Sequence, residues 1–168
     1  DFLVSKDKTV LNRFSRFVLD KFVNKYVQRN AIITIKIVDI KTITDKQDRK
    51  DLKTFRAWCI YGINDDGKKT FDISINKNEF TAKGKKPFTR LHQIMLCLGH
   101  ELVHVKQYLN GEVFDYVDGN RVRYKGRIFE TTTDDENYYD SDWEVEAYGR
   151  EQGLYKMFKK KYLEEHKG

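Results

Sequence analysis

The chain has 168 residues, of which 39% are hydrophobic and 14% aromatic, and its formal net charge is +6. This length fits a single domain, residues 1–168, that can bury a core, and the composition excludes an intrinsically disordered protein. The charge is modest, so it permits weak attraction to nucleic acid or anionic surfaces without requiring it. No apolar run reaches the ~20 residues of a membrane span and no signal peptide is recognised, which predicts a cytoplasmic protein.

The first third of the chain predicts a helix and then a strand. Residues 8–29 place apolar side chains at spacings of three and four, which predicts one amphipathic helix. Residues 31–40 are rich in β-branched side chains, and their alternation of apolar with polar residues predicts a half-buried strand. Residues 42–53 are charged and lack a clear period, so we expect a loop there, with room for a short turn of helix.

A hairpin is predicted next. Residues 55–63 and 69–76 have the pattern of two strands, and Asn64-Asp65-Asp66-Gly67 between them is a strong turn signal. A loop at residues 77–86 follows the second strand. We expect this strand to offer a free edge on which an extended peptide pairs backbone to backbone, although it would belong to the sheet in either case.

The most informative stretch is His100-Glu101-Leu102-Val103-His104, an HExxH motif inside the apolar segment of residues 91–109. Pro87 signals the start of a helix and Asn110-Gly111 signals its end. Two imidazoles four residues apart lie on one face of a helix, so both ring nitrogens can reach a single Zn²⁺. Glu101 lies beside them, where its carboxylate can take a proton from a water bound to the metal.

The helix that carries this motif is predicted to be buried, because its apolar side chains occur on nearly every side. Buried ionisable groups are costly unless they are paired or bind a metal. The alternative is a core helix with two histidines satisfied by chance, which leaves Glu101 without a partner. Cys59 and Cys97 also lie in apolar segments, and we expect buried free thiols rather than a disulfide or a further metal ligand.

The stretch after the motif predicts small hairpins and loops. Residues 116–129 contain the turn signals Asp118-Gly119-Asn120 and Lys125-Gly126, so one or two hairpins are expected beside the motif, before a polar loop at residues 131–142. Basic residues, interleaved with aromatic ones, cluster here and again near the end of the chain: Arg121, Arg123, Tyr124, Lys125, Arg127, Lys159, Lys160 and Lys161. Solvated faces are favoured over nucleic-acid contacts, because no nucleic-acid-binding motif accompanies these clusters.

A final helix is predicted from residue 142 to the end of the chain, with Ser141 or Asp142 as its cap. A catalytic zinc normally has three protein ligands and one open position for water. Glu144 or Glu146, both near the start of this helix, could supply the third ligand.

An HExxH motif followed by a helix with Glu-x-x-Ala resembles the gluzincin branch of zinc metallopeptidases, in which that Glu is the third ligand. Glu144-Val145-Glu146-Ala147 fits this register and selects Glu144 over Glu146. The combination of HELVHVKQ with WEVEAYGRE is also similar to small HExxH proteins of tailed bacteriophages, over about residues 70–155.

The order of the predicted elements indicates an α+β fold, and the resemblance to phage proteins implies the host cell cytoplasm. The expected architecture is a minimal zincin-like domain with an N-terminal helix, a small mixed sheet of about three strands, a buried HExxH helix and a C-terminal ligand helix.

The activity implied is metal-assisted hydrolysis of a peptide bond in a protein or peptide substrate. Zinc held by His100, His104 and Glu144 would lower the pKa of its water toward ~7, with Glu101 as the general base. Tyr148, one helical turn from Glu144, is the first candidate to stabilise the oxyanion. Packing of its ring against the motif helix is at least as good an interpretation. Three nearby side chains are the other candidates: Arg150, Tyr138 and Tyr139.

Two features depart from related families. Many gluzincins carry an acidic residue four positions after the ligand Glu, where it orients the first His, but this chain has Tyr148. We expect Asp115, Asp140 or a backbone carbonyl to replace it. Repair proteases of the SprT type use a His as third ligand, and here the only later His is His166 in a lysine-rich tail, so that resemblance is weaker.

Two other functions stay open at the level of sequence. One is a nucleic-acid-associated protease or binding module that uses the basic clusters, which predicts binding that weakens steeply with salt. The other is a catalytically silent, zinc-stabilised phage interaction protein, for which replacing Glu101 by Gln changes neither function nor zinc content.

Overall fold

The computed structural model describes residues 5–80, 87–117, 119–131 and 138–165. In these ranges the fold is α+β, with five α-helices, a mixed three-stranded sheet and a second sheet of three short antiparallel strands. The helices are α1 (Ser5–Phe22), α2 (Lys25–Arg29), α3 (Lys46–Leu52), α4 (Pro87–Leu109) and α5 (Asp142–Glu165). The strands are β1 (Ala31–Val38), β2 (Ala57–Ile63), β3 (Lys69–Asn76), β4 (Val113–Asp115), β5 (Arg121–Tyr124) and β6 (Arg127–Glu130).

Some predicted features lie outside the described residues. These are most of the loop at 77–86, the first residue of the turn at 118–120, residues 132–137 of the later loop, and His166.

The prediction of one helix over residues 8–29 is wrong, because the helix is interrupted after Phe22. Asn24 adopts an extended backbone conformation, and its side-chain oxygen accepts a hydrogen bond from the Tyr26 N–H at 2.8 Å. Asn is a strong N-cap, so it ends α1 and starts α2 although the apolar spacing continues. In the same way Asp45 caps α3, which occupies a segment predicted mainly as loop.

The larger sheet has the strand order β1-β3-β2. The predicted hairpin is confirmed, since β2 and β3 pair antiparallel, with Ala57 opposite Ile75 and Ile63 opposite Lys69. β1 pairs parallel with the whole length of β3. The prediction of a free edge on β3 is therefore wrong, because the isoleucine-rich β1 occupies it. β2 is an outer strand instead.

The main core forms where α4 packs against the larger sheet and between α1 and α5. The predicted burial of α4 is confirmed, because apolar side chains from all of these elements are fully or almost fully buried. They include Phe14, Val18, Phe71, Ile73, Ile75, Leu98, Leu102, Val103, Ala147 and Leu154. Each large side chain of this kind contributes roughly 1.5–3 kcal/mol when removed from water.

The smaller sheet forms the predicted pair of hairpins beside α4. Gly119 (φ 70°) lies in the first connection, and Lys125 (φ 47°) and Gly126 (φ 84°) turn the second. Left-handed backbone at two successive residues matches the twist of a tight hairpin. Val113, Val122 and Tyr124 form a separate small cluster with Trp143 packed against it.

No helix in the described part of the chain is long and apolar enough to cross a membrane.

Candidate metal centre

Three side chains from two helices converge where α4 crosses α5. His100 and His104 follow each other by one turn of α4, and their Nε2 atoms are 3.1 Å apart. Glu144, in the first turn of α5, places Oε2 3.2 Å from His100 Nε2 and Oε1 3.2 Å from His104 Nε2. The structure thus brings together the three residues predicted as ligands, with their ligand atoms within 4.8 Å of one another.

The chemistry of this cluster fits a divalent metal ion. Burial would raise the pKa of Glu144, but hydrogen bonds with His100 and His104 hold it well below its ordinary value. Burial opposes protonation of His104 as well, yet its hydrogen bond with Glu144 raises its pKa. Two imidazole nitrogens and one buried carboxylate are a donor set that zinc prefers, with one position left for water.

Glu101 lies next to this cluster and is 8% exposed. Burial raises its pKa, while the neighbouring His104 and His100 act in the opposite direction. A carboxylate with a raised pKa, at the edge of a cleft, is suited to accept a proton and to return it.

Tyrosines surround the cleft side of the cluster. The ring of Tyr148 packs on His100 with centroids 4.4 Å apart, and burial raises the pKa of Tyr148 to about 12. The Tyr138 side chain hydrogen-bonds to Glu144, and the ring of Tyr139 packs against that of Tyr138. Both predicted roles of Tyr148, packing and hydrogen-bond donation, are compatible with its half-exposed position.

Arg150, also a predicted oxyanion donor, lies away from this cleft. Its Nε donates to Glu146 Oε1 at 2.8 Å, and its guanidinium lies over the ring of Phe22, 5.0 Å from the centroid. These contacts hold Arg150 on the far side of α5, so it is removed from the candidates.

The group that hydrogen-bonds to His104 was not predicted. Gln107 Oε1 lies 2.9 Å from His104 Nδ1, one turn further along α4. Asp115, which the sequence suggested as a group that orients the first histidine, His100, instead accepts a hydrogen bond from the Tyr108 hydroxyl. Asp140 is exposed at the turn before α5. Neither carboxylate is a partner of His100 Nδ1, which has none among the described residues, so neither of them takes the place of the missing acidic residue.

His100 has a different environment on its second ring nitrogen. His100 Nδ1 is buried and has no hydrogen-bond partner among the described residues. The carboxylate oxygen Oε2 of Glu151 is 3.9 Å away, beyond hydrogen-bond distance. Glu151 lies two helical turns after Glu144, and only that spacing could have indicated it from the sequence.

The cluster opens into a cleft of about 980 Å³. The cleft is lined by residues of β2, by residues of the smaller sheet and by the three tyrosines Tyr138, Tyr139 and Tyr148. The thiols of Cys59 and Cys97 are free and half-buried rather than fully buried, and both line this cleft. Burial raises the pKa of Cys97 to about 11, which disfavours the thiolate that a metal would need.

Comparison with known proteins gives no similarity: no family model, curated protein or solved structure matches the chain. The resemblance to gluzincins and to phage proteins therefore stays a prediction. The functional assignment depends on the residues described above and on their geometry.

Proposed function

We propose that this protein is a zinc-dependent metallopeptidase of minimal zincin-like architecture. The observation that supports this most is the convergence of His100, His104 and Glu144 beside Glu101 at the base of a cleft. In this proposal the first three residues hold the zinc ion and Glu101 is the catalytic base. The buried HExxH helix followed by a ligand helix is the arrangement that such a site requires.

The chain's own groups divide the reaction between them. When bound, zinc polarises the scissile carbonyl and lowers the pKa of water, which makes water a nucleophile near neutral pH. Glu101 accepts the proton of the attacking water and passes it to the leaving amine. The burial that raises the pKa of Glu101 helps it to hold that proton between the two transfers.

Tyr148 is the proposed donor to the oxyanion that forms on the carbonyl. Its raised pKa keeps the hydroxyl protonated at neutral pH, whereas the Tyr138 side chain is already engaged by Glu144. Loss of one such donor costs about 100-fold in kcat. Tyr148→Phe should therefore lower kcat by about that factor with little change in KM, and Tyr138→Phe is the matched control. The opposite result would assign the role to Tyr138.

The proposed substrate is an extended protein or peptide segment. β2 is an outer strand of the larger sheet, and residues along it line the cleft. Pairing to such an edge uses backbone groups and accepts many sequences, while side-chain pockets add selectivity. The edge assigned to β3 from sequence is thus replaced by that of β2.

Nucleic acid is not part of the proposal. The guanidinium groups of Arg121 and Arg123 lie over the rings of Tyr116 and Phe114 on the same hairpin. Lys125 Nζ is 3.6 Å from a carboxylate oxygen of Glu146. Arg121, Arg123 and Lys125 thus have contacts within the protein, with aromatic rings of the same hairpin and with Glu146 of α5.

The proposal is tested by zinc content and peptide cleavage measured on the same preparations. Wild type should carry about one zinc per chain and cleave members of a peptide library, as read by mass spectrometry. Glu101→Gln should keep the zinc and lose cleavage, and Glu144→Ala should lose both. A wild type that cannot be loaded with zinc would contradict the proposal. Full zinc without cleavage of any library would instead favour the silent, zinc-stabilised interaction protein.

A further inference from the structure

Gln107 is fully buried between α4 and α5, and both ends of its amide have partners. Its Oε1 is 2.9 Å from Nδ1 of His104. Its Nε2 is 2.9 Å from the carbonyl oxygen of Trp143 and 3.1 Å from Oε2 of Glu146. The side chain therefore connects one of the proposed ligands on α4 to the first turns of α5.

The chemistry of these partners fixes which way the amide faces. The Trp143 carbonyl and the Glu146 carboxylate can only accept hydrogen bonds, so the NH₂ group of Gln107 has to face them. Its carbonyl oxygen is then left for His104, and a carbonyl oxygen can only accept. His104 must therefore donate from Nδ1. In the neutral imidazole that binds a metal, the lone pair is then on Nε2, the atom that lies 3.2 Å from Glu144 Oε1 and 3.1 Å from His100 Nε2.

Glu146 is held firmly enough to impose this orientation. Its side chain is 9% exposed. Oε1 accepts from Lys106 Nζ at 2.7 Å and from Arg150 Nε at 2.8 Å. Oε2 accepts from the Tyr124 hydroxyl at 2.8 Å in addition to Gln107. The carboxylate is thus fixed by α4, by its own helix and by β5, so it cannot turn away without breaking several charge-assisted hydrogen bonds.

We infer that Gln107 is a positioning residue for metal binding, and that Glu146 acts through it by fixing the orientation of its amide. Together they set the proton of His104 on Nδ1, so that Nε2 is ready to bind the metal. The two carboxylates of the Glu144-Val145-Glu146 segment then have separate roles: Glu144 is a ligand, and Glu146 fixes the orientation of the Gln107 amide. This inference rests on the metal site of the proposed function and does not depend on peptide hydrolysis.

The first test uses the wild type alone, loaded with zinc and labelled with ¹⁵N. The expected result is a His104 Nδ1–H resonance that exchanges slowly with solvent, because the proton is buried and hydrogen-bonded to Gln107. A zinc ion bound through Nδ1, or an Nδ1–H that exchanges as fast as that of an exposed imidazole, would overturn the inference. Because no variant is needed, this test stands even where a substitution prevents folding.

The second test measures zinc affinity by competition with a chelator. Loss of a group that orients a ligand typically weakens metal binding by 10–100-fold. Gln107→Leu should fall in about that range and lose the slow Nδ1–H resonance, and Glu146→Ala should weaken binding in the same direction. Arg150→Met is the matched control, because it removes a partner of the other Glu146 oxygen, and its affinity should stay within about twofold of wild type.

Each outcome of the affinity test has a definite meaning. If wild type binds zinc and a folded Gln107→Leu binds it equally well, the role of Gln107 is overturned while the metallopeptidase proposal stands. If wild type does not bind zinc, both are overturned.

Discussion

At the scale of single residues, Glu146 shows how neighbours decide what a carboxylate does. It faces the buried ammonium of Lys106, which is 5% exposed and also contacts Glu112. Removal of Glu146 would leave Lys106 with Glu112 alone and the Tyr124 hydroxyl without its acceptor, at a cost of about 3 kcal/mol, the low end for a broken buried ion pair. Glu146→Ala should therefore lower the free energy of unfolding by about that amount in urea denaturation. The double variant with Lys106→Met should lose less than the sum of the two single variants.

The same carboxylate predicts a pH dependence of stability. Burial would raise the pKa of Glu146, but its hydrogen bonds, that from Lys106 first, hold it well below the ordinary 4.5. A carboxyl group with a lower pKa in the folded state stabilises the fold above its unfolded pKa and loses this effect as the pH falls through its folded pKa. The stability difference between wild type and Glu146→Gln should be constant from about pH 6 to 8 and should shrink below about pH 4.5. A difference that grows on acidification would contradict this assignment.

Burial of the two cysteines should slow their alkylation in the native protein. Burial raises the pKa of Cys97 from 9.0 to about 11 and that of Cys59 from 9.0 to about 12. Only the thiolate reacts with iodoacetamide, so at pH 8 ionisation alone should slow alkylation of native Cys97 about 100-fold relative to the unfolded chain. Cys59 should be slower still. Mass spectrometry of native and urea-unfolded samples measures both rates, and comparable native and unfolded rates would contradict the raised pKa values.

At the scale of elements, the glycines on the two central helices differ in what surrounds them. A Cβ on Gly99 of α4 would lie 3.3 Å from Cζ of the buried Phe14, whereas one on Gly153 of α5 meets nothing within 4 Å. Gly153→Ala should stabilise the fold by about 0.5–1 kcal/mol through helix propensity. Gly99→Val should destabilise it by about 1–3 kcal/mol through overpacking against α1. Thermal unfolding of the metal-free proteins measures whether each variant is more or less stable than wild type. Stabilisation by Gly99→Val would mean that α1 shifts at no cost to make room for the larger side chain.

Sequence periodicity predicted elements better than it predicted their boundaries and partners. The hairpin, the buried α4 and the long α5 follow from local patterns, and the structure confirms them. The break at Asn24 depends on one side-chain hydrogen bond that overrides a continuing apolar period. The central position of β3 depends on a parallel pairing with β1, a contact between distant segments that strand alternation cannot indicate.

In the candidate metal centre too, the residues of the local motifs were predicted from the sequence and the other contacts between distant segments were not. The two histidines lie on one helix and Glu144 lies in the first turn of another. The motif and the spacing were therefore enough to identify these three residues as candidate ligands. Gln107 lies one turn after His104 on α4, so its contact with His104 is local. Its hydrogen bond to Trp143 and the approach of Glu151 to His100 are contacts between α4 and α5, which no local pattern indicates. Residues that orient a ligand need only the right distance and polarity, and many residue types can supply both.

At the scale of the whole molecule, the two sheets belong to clusters of very different size. The larger sheet shares the main core with three helices, whereas the smaller sheet has three buried side chains of its own: Val113, Val122 and Tyr124. Regions with few buried apolar contacts open locally at lower free energy than the global unfolding reaction. Amides of β5 should therefore exchange with solvent by local opening, and amides of β3 and α4 should exchange only when the whole protein unfolds.

The difference in local stability between the two sheets can be measured by adding zinc. A ligand that binds only the folded state raises the global unfolding free energy by about 2.7 kcal/mol at a free concentration 100-fold above its Kd. Opening of the smaller sheet leaves His100, His104 and Glu144 in place on α4 and α5 and breaks only one of the hydrogen bonds that fix Glu146, that from Tyr124, so zinc should oppose it only weakly. Hydrogen exchange with and without zinc should show added protection in β3 and α4 and little change in β5. Equal protection of both sheets would mean that the smaller sheet unfolds together with the metal centre rather than independently of it.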